Sequence, residues 1–335
     1  MTHRALTTYL ADCSRGAEAS RLTVVGHPAP DADAVVSSLF EAWRLTCAGI
    51  PAMPLVQAAA LPREVAWLLG NAAPLVPLGA VDPAAPELVL TDPHDVAAYS
   101  GRVVAVVDHH PLSPGIDLTD IDAEIQPLGA ATTLVARRIR RDGLVPDAFC
   151  ARVLLGAILL DTEGLSPYKA KSQDREMAGW LAALCGEDPA ALFDALQNEL
   201  LSETDVLTLF TRDYRRYTDP EGAPLLGFAI LKVRADAPPD RDAVRDLLRA
   251  DLAAGGYRVC VAKTVLHRPD GTREEVYLAA GAGADVFLNE VLAVGGPDAR
   301  RTAPDEVFLP ATCAHRGRKW YAARLPEIFS KKAEK

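Results

Sequence analysis

The chain has 335 residues, 49% of them hydrophobic, and a formal net charge of −10. That length allows two ordinary domains with real cores. The acidic balance argues against a protein that wraps long duplex nucleic acid, which needs a basic surplus, and the absence of a long uncharged apolar run argues against a membrane span.

The opening segment MTHRALTTYLADCSRG has no apolar core ahead of a small-residue cleavage site. Six cysteines (Cys13, Cys47, Cys150, Cys185, Cys260 and Cys313) form no CxxC pair. Together these predict reduced thiols in a cytoplasmic protein rather than a zinc ribbon.

In chain order, RLTVVG (21–26) predicts a buried strand and DADAVVSSLFEAWRLTCAG a helix. PAMPLVQ reads as a weaker strand and LPREVAWLLG as a short helix. ELVLTD (87–92) and RVVAVVDHH (102–110) are again continuous apolar runs that end in polar residues. Such runs suit parallel strands covered on both faces. Helical patterns then dominate from about residue 130 to 218, including the segment through RDYRRY. Beyond it, LLGFAILKV predicts a strand and DRDAVRDLLRADLAAGG a helix. A hairpin turning at Asp270-Gly271, a helix over ADVFLNEVLAVGG and an edge strand from 306 complete the pattern. The fold class predicted is α/β: a doubly wound, largely parallel sheet domain over 1–195, then a smaller α+β domain over 205–335.

Chemistry collects where the buried strands end. GHPAPDADA supplies His27, Asp31 and Asp33; LVLTDPHD supplies Asp92, with His94 close behind; VVAVVDHH supplies Asp108, His109 and His110. The helical run LLGAILLDTEG stops at Asp161. Asp31 or Asp33 alone reads as an ordinary helix N-cap, but four such segments together do not. In open parallel sheets, ligands bind beyond the carboxyl ends of the strands. Several carboxylates gathered there would repel one another unless cations balanced them. Carboxylates and imidazoles without thiolates point to manganese, with cobalt or magnesium as alternatives. A pair of divalent ions suits hydrolysis of phosphoesters or phosphoanhydrides.

These segments resemble the DHH phosphoesterase superfamily. GHPAPDADA matches its first motif, Asp92 its second, the Asp108-His109-His110 run its third, and LLDT (159–162) its fourth. The resemblance covers roughly the first 190 residues. The glycine-rich G-G-G-H motif of the RecJ and oligoribonuclease branch is missing. HRGRKWYAARLP is similar to the S-R-K segment of the other branch, that of exopolyphosphatases, prune proteins and family II inorganic pyrophosphatases, with Gly317 in place of the serine. RDYRRY is similar to its D-Y-K segment.

The resemblance implies that His27, Asp31 and Asp92 hold one metal ion. It implies that Asp33, Asp92, His109 and Asp161 hold the other, with Asp92 bridging. His110 then meets the substrate phosphate, and Asp108 orients the histidine pair. Arg215, Arg318 and Lys319 bind substrate phosphates from the second domain. Two departures from the pyrophosphatase pattern, DPHD at 92–95 and LLDTEGLSPYKAKSQD, tip the expectation towards an exopolyphosphatase acting on short polyphosphate. A manganese-dependent pyrophosphatase is the alternative; a nucleotide phosphodiesterase and a catalytically quiet prune-like binding protein rank lower. The expected partner is a small phosphoanhydride, not long nucleic acid or a membrane, and the chain is a monomer or a homodimer. His94 stays open between a group that supports the metal ligands and a plain loop histidine, with the loop favoured, and the arginines of RRIRRDG (137–143) read as a solvated helix end in preference to a polyphosphate track.

Overall fold

The computed structural model describes residues 5–15, 22–82, 87–113 and 115–333. It divides into two compact units, Met1–Glu199 and Leu200–Lys335.

The first unit contains α1 (Leu6–Ser14), β1 (Leu22–Val25), α2 (Ala32–Cys47), β2 (Ala52–Leu55), α3 (Arg63–Leu69), β3 (Leu88–Thr91), β4 (Val103–Asp108) and β5 (Asp122–Ile125). Four helices follow: α4 (Ala131–Arg141), α5 (Ala148–Asp161), α6 (Ser172–Cys185) and α7 (Pro189–Leu201). The strands form one sheet in the order β2-β1-β3-β4-β5, with every pairing parallel. All four residues of β1 and of β3 are buried, which is why both read as unbroken apolar runs. One sheet face packs Val24, Val89 and Val107 against Val35, Leu39 and Phe40 of α2, Leu134 of α4 and Leu155 of α5. Burying such side chains stabilises the fold by about 1.5–3 kcal/mol each. The other face closes over Val25, Leu88, Leu90 and Val106 with Tyr99, Leu118 and Ile121 from connecting segments.

The strand order changes direction between β1 and β3, and crevices at such points open at the carboxyl ends of the strands. Gly26 marks the exit from β1. A Cβ there would lie 2.7 Å from the Ala34 carbonyl oxygen, so only glycine lets α2 start so close to the strand.

The second unit contains α8 (Val206–Arg212), β6 (Tyr214–Thr218), β7 (Pro224–Arg234), α9 (Arg241–Gly255), β8 (Val259–His267), β9 (Arg273–Ala280), α10 (Ala284–Gly295), β10 (Arg300–Ala303), β11 (Glu306–Leu309) and α11 (Arg318–Ala333). Its six-stranded sheet runs β10-β11-β9-β8-β7-β6 and is antiparallel except between β7 and β8. Phe228, Val261 and Tyr277 face the cluster with Phe287 of α10 and Tyr321 of α11. Leu231, Cys260 and Leu278 face the cluster with Leu209 of α8 and Leu248 of α9.

Three local expectations are corrected. RDYRRY is not helical: α8 stops at Arg212, and Tyr214–Thr218 pair antiparallel with β7. The strand at 306 is not an edge, because β11 lies between β9 and β10. The arginines of α4 are not all solvated. Arg138 is buried, with guanidinium nitrogens 3.3 Å from Glu41 Oε1 and 3.6 Å from Glu124 Oε2, whereas Arg140 and Arg141 are exposed.

Candidate metal centre

Six residues named above converge beyond the carboxyl ends of β1, β3 and β4. His27, Asp31 and Asp92 form one group whose ligand atoms lie within 4.8 Å of one another; Asp33, His109 and Asp161 form a second. Asp92 stands between them. Its Oδ2 is 3.3 Å from His27 Nε2 and its Oδ1 is 3.2 Å from His109 Nε2. The backbone at Asp92 has a φ of 78°, in the left-handed region. A non-glycine residue held there costs on the order of 1–3 kcal/mol, and such strain gathers at functional sites.

Each ligand is set by its element. Asp31 is the N-cap of α2, where it accepts from the Ala34 amide at 3.1 Å. The capping reading therefore holds, and the same carboxylate also lies 3.8 Å from His27 Nε2. Asp33, in the first turn of α2, accepts from the Ala131 and Thr132 amides at 2.6 and 2.7 Å. It thus serves the N-terminus of α4, whose own N-cap, Ala130, has no side-chain acceptor. Asp161 ends α5, with Oδ2 3.5 Å from His109 Nε2.

The two histidines of the DHH run are oriented differently. His109 Nδ1 donates to the Leu128 carbonyl at 3.1 Å, which leaves Nε2 facing Asp33, Asp92 and Asp161. His110 Nδ1 is held by Asp108 Oδ1 at 2.9 Å and the Asp92 carbonyl at 3.0 Å. Its side chain is 42% exposed, and Nε2 is its remaining nitrogen. Asp108 is fully buried, and its Oδ1 also accepts from the His109 and His110 amides at 2.7 and 3.1 Å.

His94 lies in the loop after β3, but it is buried there and acts as a brace, which favours the supporting reading over the plain loop one. Its Nδ1 donates to Asp108 Oδ2, and its Nε2 accepts from the Ser113 amide at 3.0 Å. Sequence reading marked Asp174 only by its spacing from Lys171 and gave it no role; it is fully buried and accepts from the Gly129 and Lys171 amides at 2.9 and 2.7 Å and from Thr133 Oγ1 at 2.6 Å. Gln57 and Tyr99, which donate to the Gly26 carbonyl at 2.7 and 3.0 Å, carried no local signal.

Electrostatics favour a cation here. Burial, then the charges of Asp92 and Asp161, push the Asp33 carboxyl well above its usual range. Burial and the nearby Asp31 raise Asp161 to about 6. Burial opposes charge on both His27 and His109, but the surrounding aspartates win. They hold His27 up at about 10 and His109 up at about 11. The buried Asp92 Oδ1 accepts no well-formed hydrogen bond although His109 Nε2 is near. Orphaned buried carboxylate oxygens beside imidazoles are what divalent cations satisfy, so this residue set fits a pair of such ions.

No family model matches the chain. It is 32% identical over 224 residues to a Deinococcus radiodurans protein named a probable manganese-dependent inorganic pyrophosphatase, covering 61% of this chain and 67% of the relative. The chain belongs to the DHH phosphoesterase superfamily, in the branch of the manganese-dependent inorganic pyrophosphatases. A Streptococcus mutans protein named in the same way is 30% identical over 180 residues, with 50% of this chain and 57% of that relative covered. A Methanococcus jannaschii structure described as a family II inorganic pyrophosphatase shares the fold, with a TM-score of 0.70, 20% identity, and coverage of 92% of this chain and 99% of that one.

The superfamily's expected phosphate-binding cations lie in the second unit. Arg318 opens α11 and donates to the side chain and, at 3.1 Å, the carbonyl of Asp213. Asp213 immediately precedes β6, which carries Arg215. Lys319 is exposed. The two basic motifs, about a hundred residues apart in sequence, are thus joined within one unit.

Proposed function

We propose that the chain is a metal-dependent phosphoanhydride hydrolase that releases orthophosphate from short inorganic polyphosphate. The observation that carries this reading is the pair of acid–imidazole groups sharing Asp92. His27, Asp31 and Asp92 would hold one divalent ion, and Asp33, Asp92, His109 and Asp161 the other, with manganese the expected metal. Bound there, such ions supply Lewis acidity towards phosphoryl oxygens and ease deprotonation of the attacking water.

The chain's own groups do the rest. His109 presents Nε2 because Leu128 occupies Nδ1. His110 offers Nε2 to a phosphate oxygen because Asp108 and the Asp92 carbonyl occupy Nδ1. Asp108 holds both histidine amides and so fixes the turn. Arg215, Arg318 and Lys319 bind substrate phosphates; guanidinium forks match phosphate geometry.

Pyrophosphate is the second reading, favoured by the names of the relatives. The place of work is the cytoplasm, supported by six cysteines that form no disulfide among the described residues. Among the described residues, no helix is long and apolar enough to cross a membrane.

The test is phosphate release by the manganese-loaded protein from pyrophosphate, tripolyphosphate, long polyphosphate and a cyclic dinucleotide in parallel. Faster turnover of tripolyphosphate than of pyrophosphate supports the first reading, and the reverse supports the second. Hydrolysis of the cyclic dinucleotide alone overturns both.

A further inference from the structure

The second unit buries a charged cluster that none of the roles above uses. Lys263 on β8 and Glu275 on β9 are each at most 6% exposed, and they form an ion pair. Tyr277 donates its hydroxyl to Glu275 Oε2 at 2.7 Å, and His315 Nδ1 lies 3.0 Å from the same oxygen. Burial pushes the Lys263 ammonium down while Glu275 opposes the shift. Glu275 itself is held low, against burial, by His315 and Lys263. The cluster lies on the sheet face that carries Tyr277 and, across from it, Tyr321 of α11.

A buried ion pair is a poor source of stability, since a well-packed apolar pair of similar volume is often as stable or more so. Its geometry offers a different reason for its presence. Lys263 Nζ also donates to the Arg316 carbonyl at 3.3 Å. That carbonyl and His315 belong to the turn leading directly into Arg318 and Lys319, the first residues of α11. Arg318 is held in turn by Asp213. The segment is therefore fixed from beneath by the buried cluster and from the side by Asp213, the residue just before the strand that carries Arg215.

We propose that Lys263, Glu275 and His315 are positioning residues for phosphate binding: they hold the 315–317 turn so that Arg318 and Lys319 are presented in the orientation that binds substrate. This rests on the reading that those two cations bind substrate phosphate. Lys263 acts through the Arg316 carbonyl, and Glu275 keeps the ammonium charged and aimed. His315 sits in the turn with Nδ1 3.0 Å from the same carboxylate, close to it but without a well-formed hydrogen bond.

The test is the double variant Lys263→Met/Glu275→Gln in the full chain, which removes the donor to Arg316 without leaving a lone buried charge. KM for tripolyphosphate should rise about tenfold or more, the effect of losing a hydrogen bond from a charged donor. kcat should stay within about threefold and manganese content should not change. An unchanged KM in the folded variant overturns the proposal and leaves the cluster a structural element only. If the double variant fails to fold, His315→Gln, at a partly exposed position, replaces it: a higher KM supports the proposal and an unchanged one overturns it. Calorimetric binding of pyrophosphate to the full chain and its variants separates the two claims. Wild-type protein that binds pyrophosphate but hydrolyses no phosphoanhydride sinks the proposed function. Equal affinity of wild type and variants sinks the positioning role.

Discussion

His109 and His110 are neighbours in sequence with different orientations, and the atoms that separate them are not their own. The Leu128 carbonyl takes Nδ1 of one ring; Asp108 and the Asp92 carbonyl take Nδ1 of the other. The motif shows that two histidines are present, but only the backbone placed around them shows which nitrogen each exposes. His94 teaches the same at longer range: its bond to Asp108 spans 14 residues, and no local pattern marks it. His94→Asn should lower kcat by about 10–100-fold, the usual loss when a group that orients a ligand is removed. Manganese content should hold. Steady-state kinetics beside metal analysis would check this, and unchanged kcat would reduce His94 to packing.

The protons of the metal-free site give a second residue-scale prediction. His27 is held at about 10, His109 at about 11 and Asp161 at about 6, and Asp33 is well above its usual range. The free site therefore binds protons at neutral pH that metal ligation must expel, so raising pH favours metal. Apparent manganese affinity should rise up to about tenfold per pH unit for each proton displaced, between about pH 6 and 8. Titration calorimetry in two buffers of different ionisation enthalpy would count those protons; affinity independent of pH would contradict the picture.

Among the elements, helix starts matter most. Asp174 in the first turn of α6 accepts from the Gly129 and Lys171 amides and from Thr133 on α4, so one buried carboxylate ties two helix N-termini together. Asp174→Ala strands three donors. It should cost about 3 kcal/mol or more, read as a lower denaturant midpoint. Gly129 cannot yield space, because a Cβ there would lie 2.6 Å from Thr162 Cγ2 and 2.9 Å from Asp174 Oδ2. The Asp174 position was visible as a lysine–aspartate spacing, but two of its three partners, Gly129 and Thr133, lie more than 40 residues away. The misread RDYRRY segment shows a different limit. Its charged and aromatic residues fit a helix end as well as an edge strand. Pairing with β7, supplied by residues that come later in the chain, decides between them.

Across the whole molecule, the charge balance of the first unit predicts that metal is part of its stability. The fold sets Asp31, Asp33, Asp92 and Asp161 together, and a bound cation relieves that repulsion. Manganese at about a hundred times its dissociation constant should stabilise the folded chain by about 2.7 kcal/mol per site, and a chelator should remove that gain. Differential scanning calorimetry of the full chain with manganese and with chelator would measure it. Identical melting curves would argue against a metal-filled site.

The sequence by itself determined that carboxylates and imidazoles gather at the strand ends, the alternation of buried strands and helices, and the division into an α/β part and an α+β part. Periodicity and motif spacing are local, so they survive in one dimension. The tertiary structure decided what depends on contacts distant in sequence. The order β2-β1-β3-β4-β5 sets β1, β3 and β4 side by side, so their ends share one crevice. Asp33 caps a helix about a hundred residues downstream. Asp92 is shared because two loops bring one imidazole to each of its oxygens. Hydrogen bonds and charges act over a few ångströms in space, and chain connectivity alone does not say which groups fall within that range.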